Sequence, residues 1–326
     1  MSRTTPVGTS WDSGAHHLRS HVPGSRRWRE LITGATHRLT SAGVESAEVD
    51  ARRIGEEASG WAGAALVLHV DEPAGPDDIA RFEAMVMRRS AGEPLQYVLG
   101  RWGFRTLDLV VDRRVLIPRP ETEQVVEEAL GELDRLVQSF RARENRGEST
   151  SNRRRRSKVV DLGCGSGAIG LSIAAECEEV DVWCVDASAD AIAVTNQNLA
   201  ALDLGTSQVG AMHGSWFDPL PGELAGAVDV IVANPPYVAT DDDLPAEVAE
   251  WEPNAALVAG PTGLEAIVHI VERAPDWLTA DGVLVSEIGE TQADRACSAA
   301  RRAGFAHIEV RRDLAARDRT LIARRS

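Results

Sequence analysis

The tetrapeptide Asn234–Tyr237, with the sequence Asn-Pro-Pro-Tyr, directly follows the apolar run Val228–Ala233. The run predicts a buried strand, and open α/β sheets bind their ligands at the carboxyl ends of their strands. The two prolines fix φ and keep Asn234 out of helical backbone. The side-chain oxygen of Asn234 and the carbonyl oxygen of Pro235 could accept hydrogen bonds from a planar –NH2 group, with Tyr237 stacked on that group. The tetrapeptide therefore predicts chemistry at an amino or amide nitrogen.

A glycine-rich loop follows another predicted strand, Val159–Leu162. Its residues are Gly163, Cys164, Gly165, Ser166 and Gly167. Glycine lets the backbone turn sharply and lets a ligand approach closely. About 20 residues further along, Asp186 ends the next predicted strand, where an acid can accept hydrogen bonds from both hydroxyls of a ribose. Loop and acid together predict an adenosine-containing ligand. The run Gly165–Gly170 also fits the dinucleotide pattern, so the loop alone does not choose NAD over another adenosine ligand.

Trp216 follows the expected third strand of the same half of the chain. An aromatic side chain at that point could cover one face of an adenine ring, while a buried core tryptophan is the simpler alternative. Neither a P-loop nor a phosphate-binding lysine accompanies these residues, which disfavours an enzyme that uses ATP.

The elements that must position these residues alternate between strand and helix from Val159 to the end of the chain. Such alternation predicts a mostly parallel sheet with helices on both faces. The last two predicted strands, Ile308–Arg311 and Thr320–Ala323, are joined by a short turn and predict an antiparallel hairpin at the sheet edge. Before this region, apolar residues recur every three or four positions from Trp28 to Arg89, which predicts a small helical bundle without catalytic groups.

The amino-acid composition argues against several classes of protein. Of the 326 residues, 43% are hydrophobic, which is enough for a folded core and excludes a largely disordered chain. The 35 basic and 50 acidic residues give a net charge of −15, which argues against a protein that coats nucleic acid with a basic face. No apolar run approaches the roughly 20 residues that cross a bilayer. The N-terminus also lacks the apolar centre of a secretory signal.

Cysteine usage points to a reducing compartment, because four cysteines without a CxxC pair fit neither a disulfide framework nor a zinc site. They are Cys164, Cys177, Cys184 and Cys297. We therefore expect a cytoplasmic protein with no metal and no membrane association.

The motifs together resemble class I S-adenosylmethionine-dependent methyltransferases that modify a planar amino or amide nitrogen. The Asn-Pro-Pro-Tyr motif is shared by adenine-N6 DNA methyltransferases, by some ribosomal RNA guanine methyltransferases, and by the glutamine-N5 methyltransferases that act on peptide chain release factors. Further stretches resemble the last group, the HemK/PrmC family, so that the resemblance covers about residues 28–326. These stretches are Gly92–Phe104, Leu116–Glu123 and parts of Glu252–Leu264.

The resemblance implies a Rossmann-like, seven-stranded, mostly parallel sheet and a cofactor, S-adenosyl-L-methionine, which leaves as S-adenosyl-L-homocysteine. By position, the loop Gly163–Gly167, Asp186 and Trp216 correspond to cofactor-binding residues. Cys164 stands where relatives often have threonine, and we interpret it as a small buried residue and not as a nucleophile.

The resemblance also implies a substrate, the glutamine in the Gly-Gly-Gln motif of class I release factors. Asn234 corresponds to the residue that contacts both cofactor and glutamine, and Pro235, Pro236 and Tyr237 complete the substrate site. Asn234, Pro235 and Tyr237 take the catalytic roles, which are to hold the amide for a direct in-line methyl transfer. The sequence names no proton acceptor.

The expected domain organisation follows from these assignments. We predict a flexible tail over 1–25, a helical substrate-recognition domain over 26–103, a β-hairpin and connector over 104–120, and a methyltransferase domain over 121–326. The last contains an exposed basic insertion, 141–158, with eight basic and two acidic residues. We expect this insertion to be dispensable for catalysis, although a clamp for RNA or for an acidic partner is the alternative.

Three other functions compete with this reading. A nucleic-acid amino methyltransferase, acting on adenine N6 or on the N2 of guanine in ribosomal RNA, would be expected to show a basic groove. An NAD-dependent oxidoreductase would use the glycine loop but leave the Asn-Pro-Pro-Tyr motif unexplained. A non-catalytic interaction protein would have no need for Asn234 and Asp186. We expect release factors as partners, no stable binding of nucleic acid, and a monomer.

Overall fold

The computed structural model describes residues 26–146, 156–204 and 208–326. The predicted N-terminal tail therefore lies outside the described residues, as does the centre of the predicted basic insertion. By its internal contacts the chain divides into two units, Met1–Ala91 and Gly92–Ser326.

The first unit is helical. Its helices are α1 (Trp28–Ser41), α2 (Ala47–Ser59), α3 (Ala64–His69) and α4 (Pro76–Ser90). Trp28 and Phe82 are almost fully buried and pack edge to face, with ring centroids 5.9 Å apart. Arg89 donates to the buried Asp50 across 2.7 Å, which pairs two charges that would each be costly to bury alone. The predicted helical bundle is confirmed.

The second unit opens with a short helix and an antiparallel hairpin. These elements are α5 (Leu95–Leu99), β1 (Arg101–Phe104) and β2 (Leu107–Val110). The sequence predicted a hairpin within 104–120, whereas in the structure the hairpin begins at Arg101, and Phe104 ends the first of its two strands. The turn lies at Arg105, whose φ of +49° is uncommon for a residue with a side chain. The Arg105 guanidinium pairs with Glu176 at 2.6 Å, which anchors the turn.

The rest of the second unit alternates between strands and helices. Its strands are β3 (Ser157–Leu162), β4 (Val180–Asp186), β5 (Gln208–His213), β6 (Val228–Ala233), β7 (Val238–Ala239), β8 (Val258–Gly260), β9 (Leu278–Glu287), β10 (His307–Arg312) and β11 (Asp318–Arg324). Its helices are α6 (Thr122–Asn145), α7 (Ala168–Glu176), α8 (Ala189–Ala201), α9 (Ala246–Trp251), α10 (Glu265–Trp277) and α11 (Ala293–Arg302).

The described residues form a seven-stranded sheet in the order β10-β11-β9-β6-β3-β4-β5. Strand β11 runs antiparallel to both of its neighbours, and the other adjacent pairs are parallel. The side chains of β6 are buried on both faces, Val230 and Val232 in one apolar cluster and Ile231 and Ala233 in the other. Burial on both faces explains why this strand is almost continuously apolar. The predicted sheet and its antiparallel edge hairpin are confirmed.

Helix α6 is longer than the sequence predicted. The predicted exposed insertion began at residue 141, but the helix continues to Asn145, and Arg143 in its last turn pairs with Asp281. After the residues that are not described, Arg156 pairs with Asp181 at 2.6 Å and β3 begins at the next residue. The described ends of the predicted basic loop therefore belong to regular elements or adjoin them.

Strand register decides which residues meet at the carboxyl edge of the sheet. Strand β6 lies between β3 and β9 and is parallel to both. Because their registers align the strand ends, Gly163, Asn234 and Glu287 lie side by side at this edge. The chain passes to β4 on one side of β3 and to β6 on the other, so this edge is a topological switch point, where α/β sheets bind ligands. In the part of the chain that is described, no helix is both long and apolar enough to span a membrane.

Candidate active site

A cavity of about 300 Å³ opens at the carboxyl ends of β3, β4 and β6. Predicted site residues that line it are Gly163, Cys164, Gly165, Ser166, Asp186, Trp216, Asn234 and Pro236. The connector before α6 and the turn after α9 supply another wall, which comprises Val115, Leu116, Pro118, Pro253, Ala255 and Ala256. Three further predicted residues, Gly167, Pro235 and Tyr237, adjoin lining residues in the chain but do not line the cavity themselves.

The glycine loop between β3 and α7 ends in a conformation that favours glycine. Gly167 has a φ of +84°, and a Cβ atom on it would lie 2.7 Å from Leu171 Cδ1. From behind the loop, the buried Asn198 donates to the Ser166 carbonyl at 2.9 Å and bonds both backbone groups of Val110. The loop is thus fixed by α8 on one side while its other side lines the cavity.

Asp186 ends β4 and is half-buried at the edge of the cavity. One of its carboxylate oxygens accepts a hydrogen bond from the Gly165 amide at 2.9 Å, and the other accepts from the Ser188 amide at 2.8 Å. These bonds fix the plane of the carboxylate and tie it to the glycine loop. Since each oxygen has a second lone pair, the group can still accept hydrogen bonds from two hydroxyls of a ligand.

Cys164 is buried within the loop, and its Sγ lies 3.5 Å from Thr195 Oγ1. The neighbouring Cys184 thiol and burial raise the pKa of the Cys164 thiol well above its usual value. A thiol that stays protonated is a weak nucleophile. This environment agrees with a packing role for Cys164.

Trp216 lies beside the glycine loop, with its ring 3.6 Å from the position of a Cβ atom built on Gly163. The backbone φ of Trp216 is +47°, in the left-handed region, which costs a bulky residue about 1–3 kcal/mol. Such strain persists where the surrounding structure imposes it, often at binding sites. The ring is half-buried and lines the cavity, so it is available to cover a planar ligand.

Asn234 follows β6, and its side-chain NH2 group donates to the Thr122 hydroxyl at 3.2 Å. Thr122 is the buried first residue of α6 and donates in turn to Glu287 Oε2 at 2.7 Å. Among residues 26–146, 156–204 and 208–326, none donates a hydrogen bond to Asn234 Oδ1 or to the Pro235 carbonyl. Asn234 Oδ1 is therefore available to a ligand at the cavity, whereas Pro235 is buried beside it and does not line the cavity.

Tyr237 is held from behind by Gln292. The Gln292 side chain donates to the carbonyls of Tyr237 and Gly263, each at 2.9 Å, and accepts from the Gly289 amide at 3.0 Å. Burial raises the pKa of Tyr237 to about 12, and the negative charge of Glu287 acts in the same direction, so the phenol is neutral. Gln292 thus fixes the end of the tetrapeptide, although no motif in the sequence singled it out.

Glu287 is almost completely buried at the end of β9. Burial raises the pKa of its carboxyl group, while the Thr122 hydroxyl, Arg319 and the Tyr237 hydroxyl favour the charged form. No motif in the sequence points to Thr122 or Glu287 as site residues, because they are separated by 165 positions and meet only through the packing of α6 on the sheet.

Glu252 joins two walls of the cavity that are distant in sequence. Its carboxylate accepts from the Ile117 amide at 3.1 Å and pairs with Arg119, so the turn after α9 is tied to the connector. Nearby, the Arg113 guanidinium stacks 4.0 Å above the Trp251 ring. These contacts explain why the connector and the Glu252 segment, which carried the family resemblance, both belong to one site.

Asp161, in β3 just before the glycine loop, is fully buried, and its Oδ2 accepts from the Gly170 amide at 2.8 Å. Its Oδ1 has no hydrogen-bond partner among the described residues. Burial, together with repulsion from Asp186, raises the pKa of Asp161 from 3.8 to about 7. The folded state therefore holds a proton that the unfolded state has already lost at mildly acidic pH.

We expect Asp161→Asn to remove a pH dependence of stability. Since the folded pKa is higher than the unfolded one, the wild type loses stability as pH rises from about 4 to about 7 and is insensitive to this group above that range. Between pH 5 and pH 7 the free energy of unfolding of the wild type should fall by about 2 kcal/mol relative to the variant. Urea unfolding of both proteins at the two pH values measures this difference, and a constant difference would contradict the raised pKa.

Two regions of the chain match known protein families, and the chain as a whole is similar to known methyltransferases. Residues 30–100 match the PrmC N-terminal domain family, and residues 148–251 match the Methyltransferase small domain family. A release factor glutamine methyltransferase from Xylella fastidiosa is 37% identical over 295 residues, covering 90% of this chain and 96% of that protein. One from Bifidobacterium longum is 37% identical over 306 residues, covering 90% of this chain and 98% of the relative. Among solved structures, a methyltransferase from Pyrococcus furiosus is 14% identical with a TM-score of 0.45, covering 75% of this chain and 98% of that one.

Proposed function

Because this chain belongs to the release factor glutamine methyltransferase family, we propose that it methylates the side-chain nitrogen, N5, of the glutamine in the Gly-Gly-Gln motif of class I peptide chain release factors. The observation that carries the proposal is Asn234 Oδ1, an acceptor without a donor that belongs to a residue lining the same cavity as the glycine loop and Asp186. The neighbouring Pro235 carbonyl is a second acceptor with no hydrogen bond from the described residues. A primary carboxamide offers two N–H donors, which matches these two acceptors.

The methyl donor of the proposed reaction is S-adenosyl-L-methionine, and S-adenosyl-L-homocysteine is the product. The residues present fit this molecule. The carboxylate of Asp186 can accept hydrogen bonds from both ribose hydroxyls, and the half-buried ring of Trp216 can cover the adenine. The glycine loop can carry the remainder because its backbone lies open to the cavity. When bound, this molecule supplies an electrophilic methyl group on a sulfonium.

The task left to the protein's own residues is alignment. A carboxamide nitrogen is a poor nucleophile because its lone pair is delocalised into the carbonyl. Asn234 and Pro235 would hold both N–H bonds, aim the nitrogen, and stabilise the positive charge that develops on it. Tyr237 would pack against the planar group. The product nitrogen is strongly acidic once methylated, so its proton can leave to water, and no general base has to act beforehand.

Mass spectrometry of a class I release factor after incubation with S-adenosylmethionine tests this function. We expect a gain of one methyl group on the glutamine of the Gly-Gly-Gln motif. Parallel incubations with DNA and ribosomal RNA address the competing amino methyltransferase function, and a binding titration with NAD addresses the oxidoreductase. Methylation of nucleic acid without methylation of the factor would overturn the proposal.

We also propose that the helical unit recognises the folded release factor. Its described residues, 26–91, carry no catalytic constellation, yet they expose large apolar side chains: Leu68 is 81% exposed, Met87 68% and Val67 60%. Exposed apolar groups are common anchors of protein interfaces. As further expectations, the enzyme acts as a monomer, binds no nucleic acid stably, and works in the cytoplasm, where release factors function.

Leu68→Ser should therefore lower kcat/KM on the intact factor at least about fivefold, which corresponds to about 1 kcal/mol for an interface anchor. Activity on a short Gly-Gly-Gln peptide should not change, because the peptide engages only the cavity. Leu314→Ser is the matched control, since Leu314 is a fully exposed leucine in the β10–β11 turn of the second unit. Equal kcat/KM of the two variants on the intact factor would show that Leu68 does not contribute to the interface.

A further inference from the structure

We propose that Thr122 and Glu287 are positioning residues that fix which end of the Asn234 side-chain amide faces the substrate. The proposal rests on the function argued above and adds two residues to it. Both lie outside the Asn-Pro-Pro-Tyr motif, on α6 and β9, and both are almost completely buried.

The three side chains form one chain of hydrogen bonds. Asn234 Nδ2 donates to Thr122 Oγ1 at 3.2 Å, and Thr122 Oγ1 donates to Glu287 Oε2 at 2.7 Å. Thr122 and Asn234 both line the cavity, whereas Glu287 lies behind them. The substrate can therefore meet Asn234 directly, while Glu287 can act on it only through its neighbours.

The direction of these bonds follows from what each group can donate. In the structure Thr122 Oγ1 donates to Glu287 Oε2, so the single hydroxyl hydrogen of Thr122 is committed to that oxygen. The Thr122 oxygen then has only lone pairs to offer to Asn234. The NH2 end of the amide is drawn to Thr122, which leaves Oδ1 for the substrate. The reversed amide would set two acceptor oxygens against each other, so the network disfavours it.

This orientation matters because it determines which functional group of a substrate the site can bind as the acceptor of the methyl group. An oxygen at the substrate side of Asn234 requires N–H donors, which a glutamine carboxamide has and a glutamate carboxylate lacks. If the amide were reversed, its NH2 group would face the substrate nitrogen and would no longer orient the N–H bonds. Thr122 and Glu287 would thus tune the transfer step and not the binding of the methyl donor.

The test compares Thr122→Val, which removes the hydroxyl at nearly constant volume, with Thr122→Ser, which retains it. With intact release factor and saturating S-adenosylmethionine, Thr122→Val should lower kcat about tenfold, while Thr122→Ser should stay within about threefold of wild type. The Kd for S-adenosylmethionine, measured by calorimetry, should not change in either variant. The control is Thr279→Val, because Thr279 is a half-buried threonine at the opposite end of β9 from Glu287. Its kcat should equal that of the wild type.

Glu287 is tested through its dependence on Thr122. In Glu287→Gln the new NH2 group can donate to Thr122, which frees the threonine hydrogen for Asn234 and reverses the amide. We therefore expect Glu287→Gln to lower kcat severalfold on its own and to have little further effect when combined with Thr122→Val. Equal effects of Glu287→Gln in both backgrounds would show that it acts by another route.

The outcomes separate this proposal from the proposed function. Absence of methylation by the wild type would overturn the function itself. With an active wild type, a Thr122→Val enzyme of unchanged kcat, or an equal loss in Thr122→Val and Thr122→Ser, would refute the positioning role. A loss of cofactor affinity that matches the loss of kcat would assign Thr122 a merely structural role.

Discussion

Replacing Asn234 by alanine is expected to lower kcat for methylation of the release factor by about 100-fold or more. Loss of one preorganised hydrogen-bonding group at a reacting centre typically costs about 10²–10³ in rate. In this chain the change would remove Oδ1, which orients the substrate amide, and would leave the Thr122 hydroxyl without its donor. The affinity for S-adenosylmethionine should change only modestly, because the glycine loop and Asp186 keep their contacts.

Single-turnover and steady-state assays on intact release factor, combined with calorimetry of the methyl donor, measure the two effects separately. Asn254→Ala is a suitable control, since Asn254 is exposed in the turn that follows Pro253 at the cavity wall. An exposed substitution of this kind should keep kcat within about twofold. A kcat of Asn234→Ala close to that of the wild type would refute the role assigned to Asn234.

The parts of the fold that the sequence predicted are those with a strong local signal. The almost continuous apolar runs at Val159–Leu162 and Val228–Ala233 require burial on both faces, and both are central strands. The glycine loop and Asp186 were predicted for a related reason, because the loop follows β3, Asp186 ends β4, and strand ends meet at one edge. Local pattern and tertiary structure agree wherever burial dictates the pattern.

The ends of elements were predicted wrongly where a long-range contact, and not a local sequence pattern, determines the structure. The turn between β1 and β2 carries Arg105 at a left-handed φ, where glycine or asparagine would have marked a hairpin. Its guanidinium is instead held by Glu176 on α7, which the sequence pattern does not reveal. Helix α6 likewise continues beyond Arg141, because ion pairs such as Arg143 with Asp281 support polar residues that looked like a loop.

The residues of the candidate site also divide into those that a local sequence pattern reveals and those that only the tertiary structure reveals. The tetrapeptide, the loop and the acid could be predicted because each has a recognisable spacing beside its strand. Thr122, Glu287 and Gln292 could not, since a single threonine, glutamate or glutamine has no informative pattern of its own. Their roles arise from the register of β6 against β9 and from the packing of α6, which bring Thr122 within 2.7 Å of Glu287. Residues that support a motif are visible only once the fold is known.

Replacing Asp186 by alanine is expected to weaken S-adenosylmethionine binding roughly tenfold to a hundredfold, which is the effect of losing about 1.5–3 kcal/mol of hydrogen bonds to a charged group. The variant would lack the carboxylate that accepts hydrogen bonds from the ribose hydroxyls. The Gly165 amide would also lose its hydrogen bond to this carboxylate, so the glycine loop would be less firmly held. The kcat at saturating S-adenosylmethionine should fall far less than in Asn234→Ala, because Asp186 lies away from the substrate amide at the end of β4.

Calorimetric titration with S-adenosylmethionine measures this effect, and Asp190→Ala is the matched control. Asp190 is an exposed acid in the first turn of α8, only four positions from Asp186, and its removal changes the net charge by the same amount. A weaker affinity in Asp186→Ala alone would therefore reflect the directed hydrogen bonds of that carboxylate and not the loss of a negative charge near the cavity. An equal loss in both variants would indicate a general electrostatic effect, and an unchanged Kd in Asp186→Ala would rule out this placement of the ribose.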